Sequence, residues 1–213
     1  MSAPDLTKLF EAILNGDAAA ARQVTEEALA AGVDPQSMVV GQMIPAMDEV
    51  GRRFECNEFY VPELLIAARA MKGALELLRP LLAARGVEPA GRVVIGTVKG
   101  DLHDIGKGLV ASMLEGGGFE VVDLGVDVPA EQFVIKAQES KDNLIAVSAL
   151  LTTTMTAMKG VIDAVQKSDL KGRCKVIVGG APVTQQYADS IGADGYSSNA
   201  SGAVALARKL LAA

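Results

Sequence analysis

The chain has 213 residues, 50% of them hydrophobic and 22% charged, with a formal net charge of −6. That composition describes a folded protein with a sizeable core and excludes a disordered one; the acidic balance argues against nucleic acid as main partner, since phosphate binding needs a basic face. Cys56 and Cys174 are the only cysteines and lie outside any C-x-x-C pattern, so neither a disulfide framework nor a thiolate zinc site is expected.

The first segment, MSAPDLTKLFEAIL, lacks the basic region and long apolar core of a signal peptide. No run approaches the roughly 20 apolar residues needed to cross a bilayer. A soluble, cytoplasmic protein with no membrane partner is the expectation. Leu6, Leu9, Phe10, Ile13 and Leu14 then recur at helical spacing until Asn15-Gly16-Asp17 breaks the pattern. Asp17 to Ala31, rich in Ala and Glu, predicts a second helix that stops at Gly32. A third starts after Asp34-Pro35 and carries Met38, Val39, Met43, Met47 and Val50. After the turn 55–58, a fourth opens with Pro62 in its first turn and runs through Leu64, Leu65, Ala68, Met71, Leu75 and Leu78. Four amphipathic helices with short connections predict a small four-helix bundle over 1–86.

Arg85 to Gly91 reads as a linker, and beyond it strands alternate with helices. Predicted strands are 92–98, 120–124, 144–148, 175–178 and 195–197; predicted helices are 105–115, 130–139, 154–167, 182–191 and 200–211. Near-continuous apolar strands in such an alternation imply a parallel sheet covered on both faces. The expected second domain, 91–213, is therefore a doubly wound five-stranded parallel sheet.

His103, the only histidine, lies in TVKGDLHDIG, directly after the first predicted strand. In a doubly wound sheet that turn lies at the mouth of the ligand crevice. An imidazole there can be a metal ligand, a proton-transfer group or a plain hydrogen-bonding residue. Asp101 is placed to accept its second ring N–H, as carboxylates do behind ligating histidines, and Asp104 can cap the helix beyond it. One histidine cannot hold an ordinary metal site, which needs three or four ligands. It is enough for a macrocycle that brings its own equatorial donors, which narrows the metal reading to a tetrapyrrole-like cofactor.

Two further stretches face the same crevice. Ser148 to Thr154 (SALLTTT) ends the third strand with hydroxyls that can donate to a ligand, link to Asp101 or cap a helix. Gly179-Gly180 comes after the fourth strand and permits close backbone approach or a tight turn. No Walker loop, G-x-G-x-x-G or serine–histidine–acid triad is present, which disfavours the usual nucleotide cofactors and triad chemistry.

Together these read D-x-H-x-x-G at 101–106, S-x-L at 148–150 and G-G at 179–180. This spacing resembles the signature of the corrinoid-protein family, found in cobalamin-dependent methionine synthase and in small corrinoid proteins of methyltransferase systems. TVKGDLHDIGKGLV and VVDLGVDVPAE (121–131) are similar to that family, as is a bundle followed by a flavodoxin-like (Rossmann-type) domain.

The resemblance implies a cobalamin or related corrinoid bound base-off, with His103 as lower axial cobalt ligand and Asp101 its hydrogen-bonding partner. It carries that relay on to Thr154, where a serine is common in methionine synthase, and implies that protonating the relay weakens the histidine's donation as cobalt is reduced. The motif residues Gly100, Leu102, Asp104, Ile105 and Gly106 line the cofactor. Ser148, Leu150 and Thr152 fall by the nucleotide tail and corrin edge, and Gly179 and Gly180 by the tail's slot. From the bundle, Phe54, Val61 and Leu64 correspond to apolar residues that cap the corrin and must move aside, with 85–91 as the hinge.

The resemblance further implies a methyl carrier and not an autonomous catalyst. A donor-side methyltransferase (methylamine, methanol, betaine or aryl methyl ether type) would place methyl on cobalt(I). An acceptor-side methyltransferase would pass it to a thiol or tetrahydrofolate acceptor, with a reductive activase as a further partner. The alternative is a cobalamin-dependent sensor; such proteins carry an added DNA-binding domain and tend to have a cap tryptophan, and this chain contains no tryptophan.

Overall fold

The computed structural model describes residues 5–140 and 144–212, so the first four residues of the amino-terminal segment lie outside it. The chain divides into two compact units, one running to Pro89 and taking in Glu115–Gly118, the other formed by Ala90–Leu114 and Phe119 onward.

The first unit is helical: α1 (Thr7–Leu14), α2 (Ala18–Ala30), α3 (Pro35–Met38), α4 (Ile44–Glu55) and α5 (Val61–Ala84). Asp17 starts α2 by accepting the Ala20 N–H at 2.9 Å, and Asp34 starts α3 by accepting that of Ser37 at 2.8 Å, each satisfying an otherwise unpartnered helix donor. The third predicted helix is one helical path in two parts, since a π-helical turn, Val39–Met43, joins α3 to α4. Pro45 in the first turn of α4 explains it. Proline has no N–H for the carbonyl four residues back and its ring crowds that carbonyl, and a wider turn relieves both. The predicted apolar stripes form the core, with Leu9, Ile13, Met43, Leu64, Met71 and Leu78 fully buried.

The second unit alternates β1 (Arg92–Thr97), α6 (Ile105–Gly116), β2 (Glu120–Asp123), α7 (Ala130–Ser140), β3 (Leu144–Ser148), α8 (Thr156–Lys167), β4 (Lys175–Gly179), α9 (Gln185–Ile191), β5 (Gly195–Tyr196) and α10 (Ala200–Leu211). All strand pairs are parallel and the order is β2-β1-β3-β4-β5. Val94, Ile145, Val147, Val176 and Val178 pack on one face with Phe133 of α7 and Met158 of α8. The alternate residues Val93, Ile95, Leu144 and Ile177 are equally buried on the other face. Each such side chain contributes about 1.5–3 kcal/mol by leaving water.

Two helices start later than their composition suggests. Residues 152–155 form a turn before α8, because the Leu150 and Leu151 N–H groups and the Thr154 hydroxyl are all drawn to Asp101. Before α9, Thr184 is extended and accepts the Tyr187 N–H at 3.2 Å, so it caps the helix. In the sheet, Thr97 pairs with Ser148, and Ser148 with Gly179. This registry makes the three central strands end in one row. With this strand order the chain reverses direction across the sheet between β1 and β3, where ligands of open α/β sheets bind.

Candidate functional site

The loops after β1 and β3 meet at that switch point through one carboxylate. Asp101 is fully buried. Its Oδ1 accepts the His103 backbone N–H at 3.1 Å and lies 2.6 Å from His103 Nδ1. Its Oδ2 accepts the Leu150 N–H at 2.8 Å, the Leu151 N–H at 3.3 Å and the Thr154 hydroxyl at 2.6 Å. A buried carboxylate is stable only with its lone pairs satisfied, and here the donors come from both loops. Burial pushes the acid's pKa up, but the bonds from Thr154, the Leu150 N–H and His103 outweigh it and hold the group well below the usual carboxylate range.

Asp101 is therefore ionised at neutral pH and can only accept. That places the imidazole proton on Nδ1 and leaves the lone pair on Nε2, across the ring. The ring itself is 49% exposed, so Nε2 can meet a ligand while Nδ1 stays bound to a buried anion. The loop's course is fixed by Thr97, which is buried at the end of β1 and donates its hydroxyl to the His103 carbonyl at 2.8 Å.

The surroundings of the ring are apolar and open. Leu102 and Ile105 are 73% and 86% exposed, and Leu150 and Leu151 of the neighbouring loop are also exposed. Gly100 and Gly106 are exposed and leave room beside the loop. Asp104 does not cap α6 with its side chain; its carboxylate pairs with Lys107 Nζ at 2.8 Å. Ser148 closes β3, its carbonyl accepting the Val98 N–H at 3.0 Å, and Thr152 is exposed in the turn beyond. Gly179 ends β4 beside it, and Gly180 is required there: its φ is +132° and a Cβ would lie 1.9 Å from the Ala149 carbonyl oxygen.

The candidates in the helical unit differ in exposure. Phe54 is half-buried near the end of α4, Val61 begins α5 and is exposed, and Leu64 is fully buried.

Among the described residues no group of three or more His, Cys, Asp or Glu side chains could hold a metal ion. One imidazole with a protected tautomer, set in an apolar surface, suits a planar metal complex that carries its own equatorial donors. Sequence reasoning missed Thr97, Leu151, Lys107 and Asp127. Leu151 contributes a backbone N–H, which leaves no pattern, whereas Thr97 and Lys107 lie inside TVKGDLHDIGKGLV and Asp127 inside the VVDLGVDVPAE match.

Comparison with known proteins gives the family. Residues 91–205 match a B12 binding domain family, and residues 6–79 match a second B12 binding domain family. The chain is 45% identical over 208 residues to trimethylamine corrinoid protein 1 of Methanosarcina acetivorans, covering 97% of this chain and 96% of that one. Dimethylamine corrinoid protein 3 of the same organism is 45% identical over 181 residues, 85% of each chain. Among solved structures, the methanol:cobalamin methyltransferase complex of Methanosarcina barkeri superposes with a TM-score of 0.86 at 30% identity, covering 97% of this chain and 79% of that one. A cobalamin-binding protein from Desulfitobacterium hafniense superposes with a TM-score of 0.80 at 32% identity, covering 96% and 98%. With both of its modules matched and near-complete relatives on each side, the chain belongs to the B12-binding corrinoid proteins.

Proposed function

We propose that this chain is a corrinoid methyl carrier, taking a methyl group from one methyltransferase and presenting it to another. When bound, the corrinoid supplies a cobalt centre able to accept and release that methyl group. The observation that carries the reading is the His103 ring, with Nδ1 held by a buried, ionised Asp101 and Nε2 available on an open apolar surface.

His103 would hold the corrinoid's cobalt through Nε2. Asp101 orients the ring and sustains the donor strength of Nε2 through the Nδ1–H bond. Thr154 stabilises the ionised Asp101 from its other oxygen. A proton delivered to this chain of groups weakens the pull on Nδ1, so ligation and proton uptake are coupled. Leu102, Ile105 and Leu150 would lie against the corrin and exclude water, while Ser148, Thr152 and the Gly179-Gly180 turn would hold its nucleotide tail. On the resemblance alone, Phe54, Val61 and Leu64 would supply an apolar cap for the cofactor.

The names of the similar proteins favour a methylamine as source of the methyl group, delivered by a donor-side methyltransferase. An acceptor-side methyltransferase and a reductive activase complete the system. Among the described residues no helix is long and apolar enough to cross a membrane, which accords with a cytoplasmic carrier.

The test is to load the purified chain with cobalamin and record its absorption and EPR spectra with and without His103→Ala. Nitrogen hyperfine coupling from His103 is expected in the wild-type cobalt(II) state only. The reduced holoprotein is then offered to tri-, di- and monomethylamine and methanol methyltransferases. Identical cobalt spectra in both proteins would rule out the ligand assignment, and no methylation by any donor enzyme would rule out the carrier role.

A further inference from the structure

Two charged side chains outside the Asp101–His103 relay bracket it, and both connect it to the loop after β2. On one side is Asp127, whose φ of +56° is left-handed, a conformation that costs energy for a residue with a side chain and persists only where other bonds maintain it. Those bonds all go to the residues at the start of the relay. The Asp127 N–H donates to the Asp101 carbonyl at 2.9 Å. Its Oδ1 accepts the Gly100 N–H at 2.7 Å, and its Oδ2 accepts from Lys99 Nζ at 3.0 Å.

On the other side is Lys107, with its side chain 1% exposed. Its ammonium pairs with Asp104, the residue after His103, and with Asp123 at the end of β2. Asp123 in turn accepts the Gly125 N–H at 2.8 Å. Burial alone would lower the lysine's pKa, but the bonds to Asp104 and Asp123 outweigh it and raise it, so the clasp stays charged. Backbone bonds run alongside, from the Thr97 N–H to the Gly125 carbonyl and from the Val128 N–H to the Thr97 carbonyl, each 3.0 Å.

We propose that the loop between β2 and α7 is a clamp for the histidine loop, with Asp127 and Lys107 as positioning residues that hold Asp101 and His103 in ligating geometry. Neither touches the ring. Asp127 holds the peptides of residues 99–101, which aim the Asp101 carboxylate, and Lys107 holds residue 104. Released from either, the 99–104 loop gains freedom, and the 2.6 Å Nδ1 contact is lost in part of the population.

The inference rests on the proposed ligand role of His103, but its test needs no corrinoid. Because His103 is the only histidine, a long-range 1H–15N spectrum of the apoprotein reports its tautomer without assignment. In its neutral form the wild-type ring is expected to carry its proton on Nδ1. Asp127→Gly keeps the left-handed backbone and removes both side-chain bonds. It should raise the minor or detached ring population about tenfold, the change expected for losing the charge-assisted bond from the Gly100 N–H, since the exposed Lys99 pair adds little. Asp127→Asn, which tolerates the same backbone and retains an acceptor for Gly100, should stay within about twofold of wild type. Lys107→Met should act like Asp127→Gly from the other side, with urea unfolding used to confirm that each variant is folded. The clamp is refuted if the Asp127→Gly and Lys107→Met ring spectra match wild type, or if Asp127→Asn is as disturbed as Asp127→Gly. A histidine that never ligates cobalt in the holoprotein is a separate result, refuting the ligand role and leaving the apoprotein measurement to stand by itself.

Discussion

Replacing Asp101 by asparagine should flip the proton on the histidine ring as well as destabilise the fold. The carboxylate accepts on both oxygens, two donors on Oδ1 and three on Oδ2. An amide offers one acceptor and one donor group. If its NH2 faces Leu150 and Leu151, two backbone N–H groups lose their acceptor. If it faces His103, one backbone N–H does, and the ring can respond by accepting at Nδ1 and carrying its proton on Nε2. The second arrangement is therefore favoured. It costs one orphaned N–H and the charge assistance of the remaining bonds, about 3 kcal/mol in all. Urea unfolding of apoprotein at pH 7 measures the loss, and the imidazole 15N shifts report the tautomer. The pH dependence supplies a third check. Asp101's folded pKa is depressed, so its contribution is fully present above the unfolded value near 3.8 and declines as pH falls below it. The gap between wild type and Asp101→Asn should narrow below about pH 4. A variant as stable as wild type at pH 7, or one that keeps the proton on Nδ1, would falsify this account of the relay.

Two other substitutions test the rest of the site. Thr154→Val removes the hydroxyl from Oδ2 and should cost about 1–2 kcal/mol in urea unfolding. It should also raise the Asp101 titration midpoint followed by carboxyl 13C NMR, whereas Thr154→Ser should restore both, since it keeps the donor. Gly180→Ala places a methyl against the Ala149 carbonyl at a positive φ and should cost about 3 kcal/mol; an unchanged thermal midpoint would show that the β3 and β4 ends can separate freely.

Much of the architecture was legible in order along the chain. Apolar period and breakers such as Asn15-Gly16-Asp17 are local signals, and so are continuous apolar runs like Val93-Val94-Ile95, so helices, strands and the parallel sheet can be read from them. The late start of α8 was not legible, because it is set by a competitor for backbone bonds, nor was the π turn before Pro45, because a missing N–H marks where a helix must adjust without fixing how. For α8 that competitor is Asp101, about 50 residues away in sequence. His103 itself could be singled out because it is the only residue of its kind and sits in a dense motif.

What the tertiary structure alone decided is how that histidine is held. The parallel registry of β1 and β3 sets Thr97 beside Ser148, and only then can one buried carboxylate collect donors from both loops. Thr97 and Lys107 lie in the same motif as the ring and Asp127 in the second match, but the sequence does not say which groups they bond. Hydrogen bonds act over about 3 Å of space, and a doubly wound sheet brings together residues that the chain keeps far apart. The residue types at the site are a local property of the sequence; the way His103 is held is a property of the assembled strand ends.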